Sequence, residues 1–126
     1  MYDASYGANE SRLKDIRKFL EAAGFKVFFR GQHKGFCTSN YIVVASTGDT
    51  KLPSISSVQN TVEIMCYVPV DVASELEEFC DQVKERMKGM YPMIYPMFED
   101  IGDYIDDDVR AVMRTMQYKF YKKIER

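Results

Sequence analysis

The sequence predicts an α+β domain: a single, mainly antiparallel sheet of four to five strands with two helices packed on one face, in the order α-β-β-β-α-β-β. Three stretches predict it. Between Thr61 and Val68, apolar Val62, Ile64, Cys66 and Val68 alternate with Glu63, Met65 and Tyr67, as in a strand with one buried face, and Pro69 ends it. Leu76, Phe79, Cys80, Val83, Met87 and Met90 then recur at helical spacing and make one apolar stripe. Asn40–Ser46 (NYIVVAS) is β-branched and apolar on both faces, which suits a central strand.

The remaining elements follow in order. Residues 1–8 read as a flexible N-terminal arm. The first helix is expected from Asn9 or Ser11 to Ala23, with Leu13, Ile16, Phe19, Leu20 and Ala23 inward and Gly24 closing it. Arg12, Lys14, Arg17 and Lys18 lie on its other face, by default a solvated one. Phe25–Arg30 is a short strand, Gly31–Gly35 a polar turn, and Phe36 opens the next strand. Thr47–Ser57 (TGDTKLPSISS) reads as a loop longer than a hairpin needs, and such loops tend to carry function. In the second helix Asp71 or Ser74 is the expected cap, Ser74 and Glu77 having capping-box spacing. Glu75, Glu77 and Glu78 near its start and Lys84, Arg86 and Lys88 near its end suit the helix dipole. Tyr91-Pro92 and Tyr95-Pro96 impose an irregular stretch, with a short strand at Met93–Phe98. An acidic turn at Asp103–Asp108 precedes a final strand. The segment Val109–Ile124 fits helical spacing as well, but its end, QYKFYKKI, has strand propensity.

A length of 126 residues matches one domain, 1–126, able to bury a core without metal or disulfide. A net charge of −2 argues against a protein that grips nucleic acid through a basic surface, so no specific nucleic acid is expected. No run approaches the ~20 apolar residues of a membrane span, and with the polar opening MYDASYGANES no signal peptide is expected. A soluble cytoplasmic protein without membrane partners is expected. Cys37, Cys66 and Cys80 are odd in number and lack C-x-x-C spacing, and buried free thiols are the reading. Nine Tyr, eight Phe and eight Met are many for this length, and some of that soft surface is expected at subunit contacts.

No stretch gathers chemistry. His33, the only histidine, sits in a polar turn without a neighbouring Cys or carboxylate. Glu99, Asp100, Asp103, Asp106, Asp107 and Asp108 are the best group for a hard cation, but they miss the calcium-loop pattern and read first as a solvated turn. A middle reading has this acidic patch meeting basic residues of a neighbouring subunit, for which Arg12, Lys14, Arg17, Lys18, Arg30 and Lys34 are available. GQHKGF is no phosphate loop, and no serine stands in a G-x-S-x-G context. The expectation is no enzyme, no cofactor, no metal and no catalytic residue.

The order of elements carries a resemblance. A polar helix leads to a short strand, then YIVVAS, a long Ser/Pro loop, VEIMCYVPVD opening a helix, and an acidic turn before VRAVMRTMQYKFYKK. Across Tyr41–Ala45, Val62–Asp71, the helix to Met90, and Tyr104–Tyr121, the chain resembles the tail terminator (tail completion) proteins of long-tailed bacteriophages and prophage-derived tails. That resemblance implies a homo-oligomeric ring, commonly a hexamer. The ring caps the tail tube protein, ends its polymerisation and presents a surface to the head–tail connector. Its location would be the virion tail, and the host cytoplasm during assembly. Family contacts lie in loops and strand edges, whose counterparts here are Asp49, Lys51, Leu52 and Ile55. A heterologous ring also needs two complementary patches, for which Arg12 and Arg17 on one side and Asp106, Asp107 and Asp108 on the other are the candidates. The alternatives are a head–tail connector subunit and a small ligand-binding or regulatory module with a ferredoxin-like layout.

Overall fold

A computed structural model describes residues 4–51, 57–97 and 100–123. In chain order the elements are α1 (Ala4–Ala22), β1 (Val27–Phe29), β2 (Tyr41–Lys51), β3 (Ser57–Pro69), a 3-10 run (Val70–Glu75), α2 (Leu76–Met87), a 3-10 turn (Lys88–Met90), β4 (Tyr95–Pro96), β5 (Ile101–Asp106) and β6 (Ala111–Lys123). Among the described residues the strands form one mixed sheet in the order β1-β2-β3-β6, with β4 and β5 both on the free side of β6. The α+β class stands as expected. The strand count is six rather than four to five, and the order after α2 gains a strand.

Alternation decides the two faces. Val62, Ile64, Cys66 and Val68 of β3 point toward the helices with Ile42 and Val44 of β2 and Val112, Met116, Tyr118 and Phe120 of β6. Ile16 and Leu20 of α1 and Leu76, Phe79, Cys80, Val83 and Met87 of α2 close over them, so both helices share one core. A smaller cluster, with Cys37, Tyr41, Val43 and Ala111, covers part of the opposite face beside Phe28, Met65 and Tyr67.

Several expectations are corrected. β1 pairs parallel with β2, Val27 opposite Ile42 and Phe29 opposite Val44, so the sheet is not wholly antiparallel. The cause is the connection: after β1 the chain turns at Gly31 and Gly35 (φ +83° and +82°). It then crosses the helix-free face, where the Cys37 N–H donates to the Val109 carbonyl at 2.6 Å, and re-enters alongside β1; parallel pairing needs such a crossover. Phe36 therefore lies in the crossover, and the next strand opens at Tyr41. Thr47–Lys51 and Ser57 of the expected Thr47–Ser57 loop are strand, and residues 52–56 lie outside the described residues. A β-bulge, with Ser46 opposite Val62 but Gly48 opposite Thr61, lets β2 absorb its Thr-Gly sequence and keep pairing.

Helix α1 takes in residues 4–8 of the expected arm and starts before Asn9. Its end is as expected: Gly24 has φ +98° and donates to the Glu21 carbonyl at 2.9 Å. The expected capping box is not made. A 3-10 run occupies Val70–Glu75, and Glu75 caps α2 without a side-chain bond. The expected acidic turn Asp103–Asp108 is largely strand, because Ile101–Asp106 pairs with β6 as a hairpin arm and only residues 107–110 turn. The strand expected at Met93–Phe98 reduces to Tyr95–Pro96 among the described residues.

Candidate functional site

β5 is the least protected strand. It follows a proline-interrupted stretch and pairs on one side only, with β6. Ile101, Tyr104 and Ile105 are 49%, 61% and 57% exposed, a high degree for large apolar side chains on an ordered strand. The pairing of Tyr104 with Met113 places Tyr104 on the helix-free face, whereas Ile105, opposite Val112, faces the helix side. Exposed Val70 and Val72 lie in the 3-10 run at this end of the sheet, where the Val70 N–H donates to the Arg110 carbonyl.

Much of the acidic cluster is answered inside the chain. Between Ile101 and Tyr104 the register with β6 slips, β5 carrying an extra residue. Arg114, the β6 residue at that slip, grips Asp103 through Nε (2.6 Å) and Nη2 (3.2 Å), and its Nη2 also donates to Glu77 of α2 at 3.3 Å. The Asp103 carboxyl is held below its ordinary range by its hydrogen bonds from Arg114, against an opposing effect of burial. Lys84 donates to Asp100 at 2.6 Å. Asp106 accepts the Asp108 N–H at 3.1 Å and so shapes the turn. Asp107 and Asp108 are exposed, with no ion pair among the described residues.

Of the basic candidates, Arg12 and Arg17 lie on α1, away from the acidic turn. Arg17 pairs with Glu21 at 2.8 Å and its guanidinium lies 5.0 Å from the Phe29 ring centre. Arg12 faces Asp15 at 3.8 Å and lies 5.4 Å from the Phe120 ring. Both guanidinium groups therefore lie over aromatic rings of the core rather than standing free. Lys14 and Lys18 are exposed without ion pairs among the described residues. Arg30, just after β1, reaches only to Glu63 at 3.6 Å and its side chain is 66% exposed. Asp49 and Lys51 belong to β2, opposite Asn60 and Val58. Leu52 and Ile55 lie outside the described residues.

Two of the concavities among the described residues lie close to these elements. One, of about 600 Å³, lies under the second half of α2, between Met87, Tyr91, Ile94, Met97, Met116 and Tyr118, with Lys84 and Lys88 at its rim. The other, of about 200 Å³, lies on the helix-free face beside Arg30, Tyr67 and Asp106. There His33 stacks on Tyr41 (3.9 Å, 10°), and Tyr41 on Tyr67 (4.7 Å, 9°). Burial, with a contribution from Asp106, pushes both tyrosine hydroxyls up. His33 Nδ1 is buried there without a hydrogen-bond partner among the described residues. Sequence reading missed this stack, because three separated segments build it.

Reactive groups do not converge. Cys66 and Cys80 touch in the core; Cys66 donates to Cys80, and this bond with burial pushes the Cys66 thiol well up. Among the described residues no three His, Cys, Asp or Glu side chains gather as metal ligands. No described helix is long and apolar enough to cross a membrane. No protein-family model matches the chain, and no curated protein matches it in sequence.

Proposed function

We propose that the chain is a structural assembly subunit of the tail-terminator kind, not an enzyme. In this reading it forms a ring, commonly a hexamer, that caps a phage tail tube, ends its polymerisation and presents the head-joining surface. It works in the virion tail and assembles in the host cytoplasm. One observation carries the assembly class: β5 is an edge strand with exposed apolar side chains on both faces and a turn of free carboxylates, an arrangement that suits cover by another protein surface. The terminator reading adds the resemblance in element order. The proposed partners are further copies of the chain, the tail tube protein and the head–tail connector. The test is twofold. Native mass spectrometry should find a discrete multimer, and addition of the multimer to polymerising tube protein should stop tube growth. A multimer that leaves tube length unchanged but binds a connector ring would favour the connector-subunit alternative.

The cavity of about 600 Å³ favours a second reading, a small ligand-binding module, since its size lies in the usual ligand range. A chain that stays monomeric and yet is stabilised by small amphipathic molecules would support it.

A further inference from the structure

We infer that β5 of one copy pairs antiparallel with the outer edge of β2 of the next, and that the carboxylates of its turn thereby meet Arg30. This rests on the assembly reading and names its interface. The sheet has two unpaired edges of matching length. At one side lies β5, residues 101–106. At the other, β1 covers β2 only at Ile42–Val44, which leaves residues 45–51 open among the described residues.

Strand sense agrees. β1 and β2 run parallel, β3 runs against them, β6 against β3 and β5 against β6, so β5 runs opposite to β2. Copies related by rotation about a ring axis to which the strands are inclined, as in a closed barrel, therefore bring β5 antiparallel to the next β2. Pairing β5 with another β5 would instead set Asp100, Asp103, Asp106, Asp107 and Asp108 against themselves, which like charge disfavours.

The offset between the edges is also suitable. Tyr104 is level with Met113, Tyr67 and Tyr41 across the sheet. Moving β5 up to the middle of residues 45–51 is a shift of roughly 20 Å along the strands, over four strand spacings of roughly 19 Å in all. A closed ring absorbs that shift when strands tilt by roughly 45° to its axis, at the upper end of the tilt found in closed barrels.

The same shift brings opposite charges together. With Ile101 near Lys51 and Asp106 near Ser46, the turn residues Asp107 and Asp108 reach the level just past Phe29, which is opposite Val44. That is the position of Arg30, whose side chain is mostly exposed and whose own carboxylate contact is long.

The test is a charge swap read by native mass spectrometry. Asp107→Lys with Asp108→Lys should dissociate the multimer. Arg30→Asp alone should weaken it, and all three changes together should restore it. In parallel, Tyr104→Cys mixed with Gly48→Cys, which this register sets opposite each other on the helix-free face, should give a disulfide-linked heterodimer under mild oxidation, and Tyr104→Cys alone should not crosslink. A multimer unaffected by the reversals, no restoration in the triple variant, or crosslinking of Tyr104→Cys to itself would overturn the interface and leave the ring reading standing. A monomeric unmodified chain would overturn both.

Discussion

Arg114 on β6 holds Asp103 on β5 with two hydrogen bonds, at 2.6 and 3.2 Å, while one of the same nitrogens reaches Glu77 on α2 at 3.3 Å. One guanidinium thus ties the exposed edge strand to the helix layer. Its fork geometry suits a carboxylate in a way a lysine could not copy. The edge strand is presented in a fixed position although its apolar side chains are largely uncovered.

Arg114→Ala should therefore release β5 before it unfolds the domain. Stability should fall by roughly 1–3 kcal/mol, the cost of losing bonds to charged groups. Amide exchange should speed up first at residues 101–106, while Ile64 and Val83 stay protected until global unfolding. Equal loss of protection across the sheet would show that Arg114 supports the core and not the edge.

Acid should weaken the same link. The Asp103 carboxyl titrates below its ordinary 3.8 when folded, so its contribution is present above that value and lost as pH falls through the lower folded one. Asp103 is half exposed, so solvent screens the pair and the contribution should be about 1 kcal/mol or less. Denaturant curves for Asp103→Asn and the parent chain should differ near neutral pH and converge as pH falls through the lowered folded pKa of Asp103. A gap that widens in acid would contradict the assignment.

Phe79 is buried in α2 and meets Phe25 edge-on, ring centres 5.8 Å apart. Phe79→Ala should cost about 3–5 kcal/mol by urea unfolding, as for a large core truncation. Assembly should suffer only through folding, so variant that remains folded should still form the multimer. A fully stable Phe79→Ala chain would place Phe79 at an interface instead.

Gly89 packs against the end of Phe19: a Cβ there would stand 2.8 Å from Phe19 Cζ. Gly89→Ala should push this partly buried ring aside and cost about 1–3 kcal/mol, as overpacking does. An unchanged melting temperature would mean that the ring moves freely.

The parts of the fold legible in the sequence are those where one physical signal acts alone. The alternation at Val62–Val68 and the stripe from Leu76 to Met87 correspond to β3 and α2, since burial on one face leaves a clear period. β5 was not legible: IGDYID carries Gly and two Asp, which propensity assigns to a turn, and only pairing with β6 makes it a strand. Thr47–Lys51 failed for the same reason, its Thr-Gly-Asp run being held by β3 on one side. The parallel entry of β1 depends on a crossover that leaves no local pattern. Of the candidate contact residues, Asp107 and Asp108 are exposed in a turn, whereas Arg12 and Arg17 lie over Phe120 and Phe29. Residue spacing along a helix does not show which aromatic rings will come to lie beneath it.

The central claim is that this chain assembles through unlike patches. Its most direct measurement is the native mass of the purified chain over a range of salt, alongside the Asp107→Lys, Asp108→Lys variant. The account predicts one discrete multimer at low salt, loosening as salt screens the charge contact, and a folded monomer for the variant. A parent chain that remains monomeric at every salt and protein concentration would contradict it.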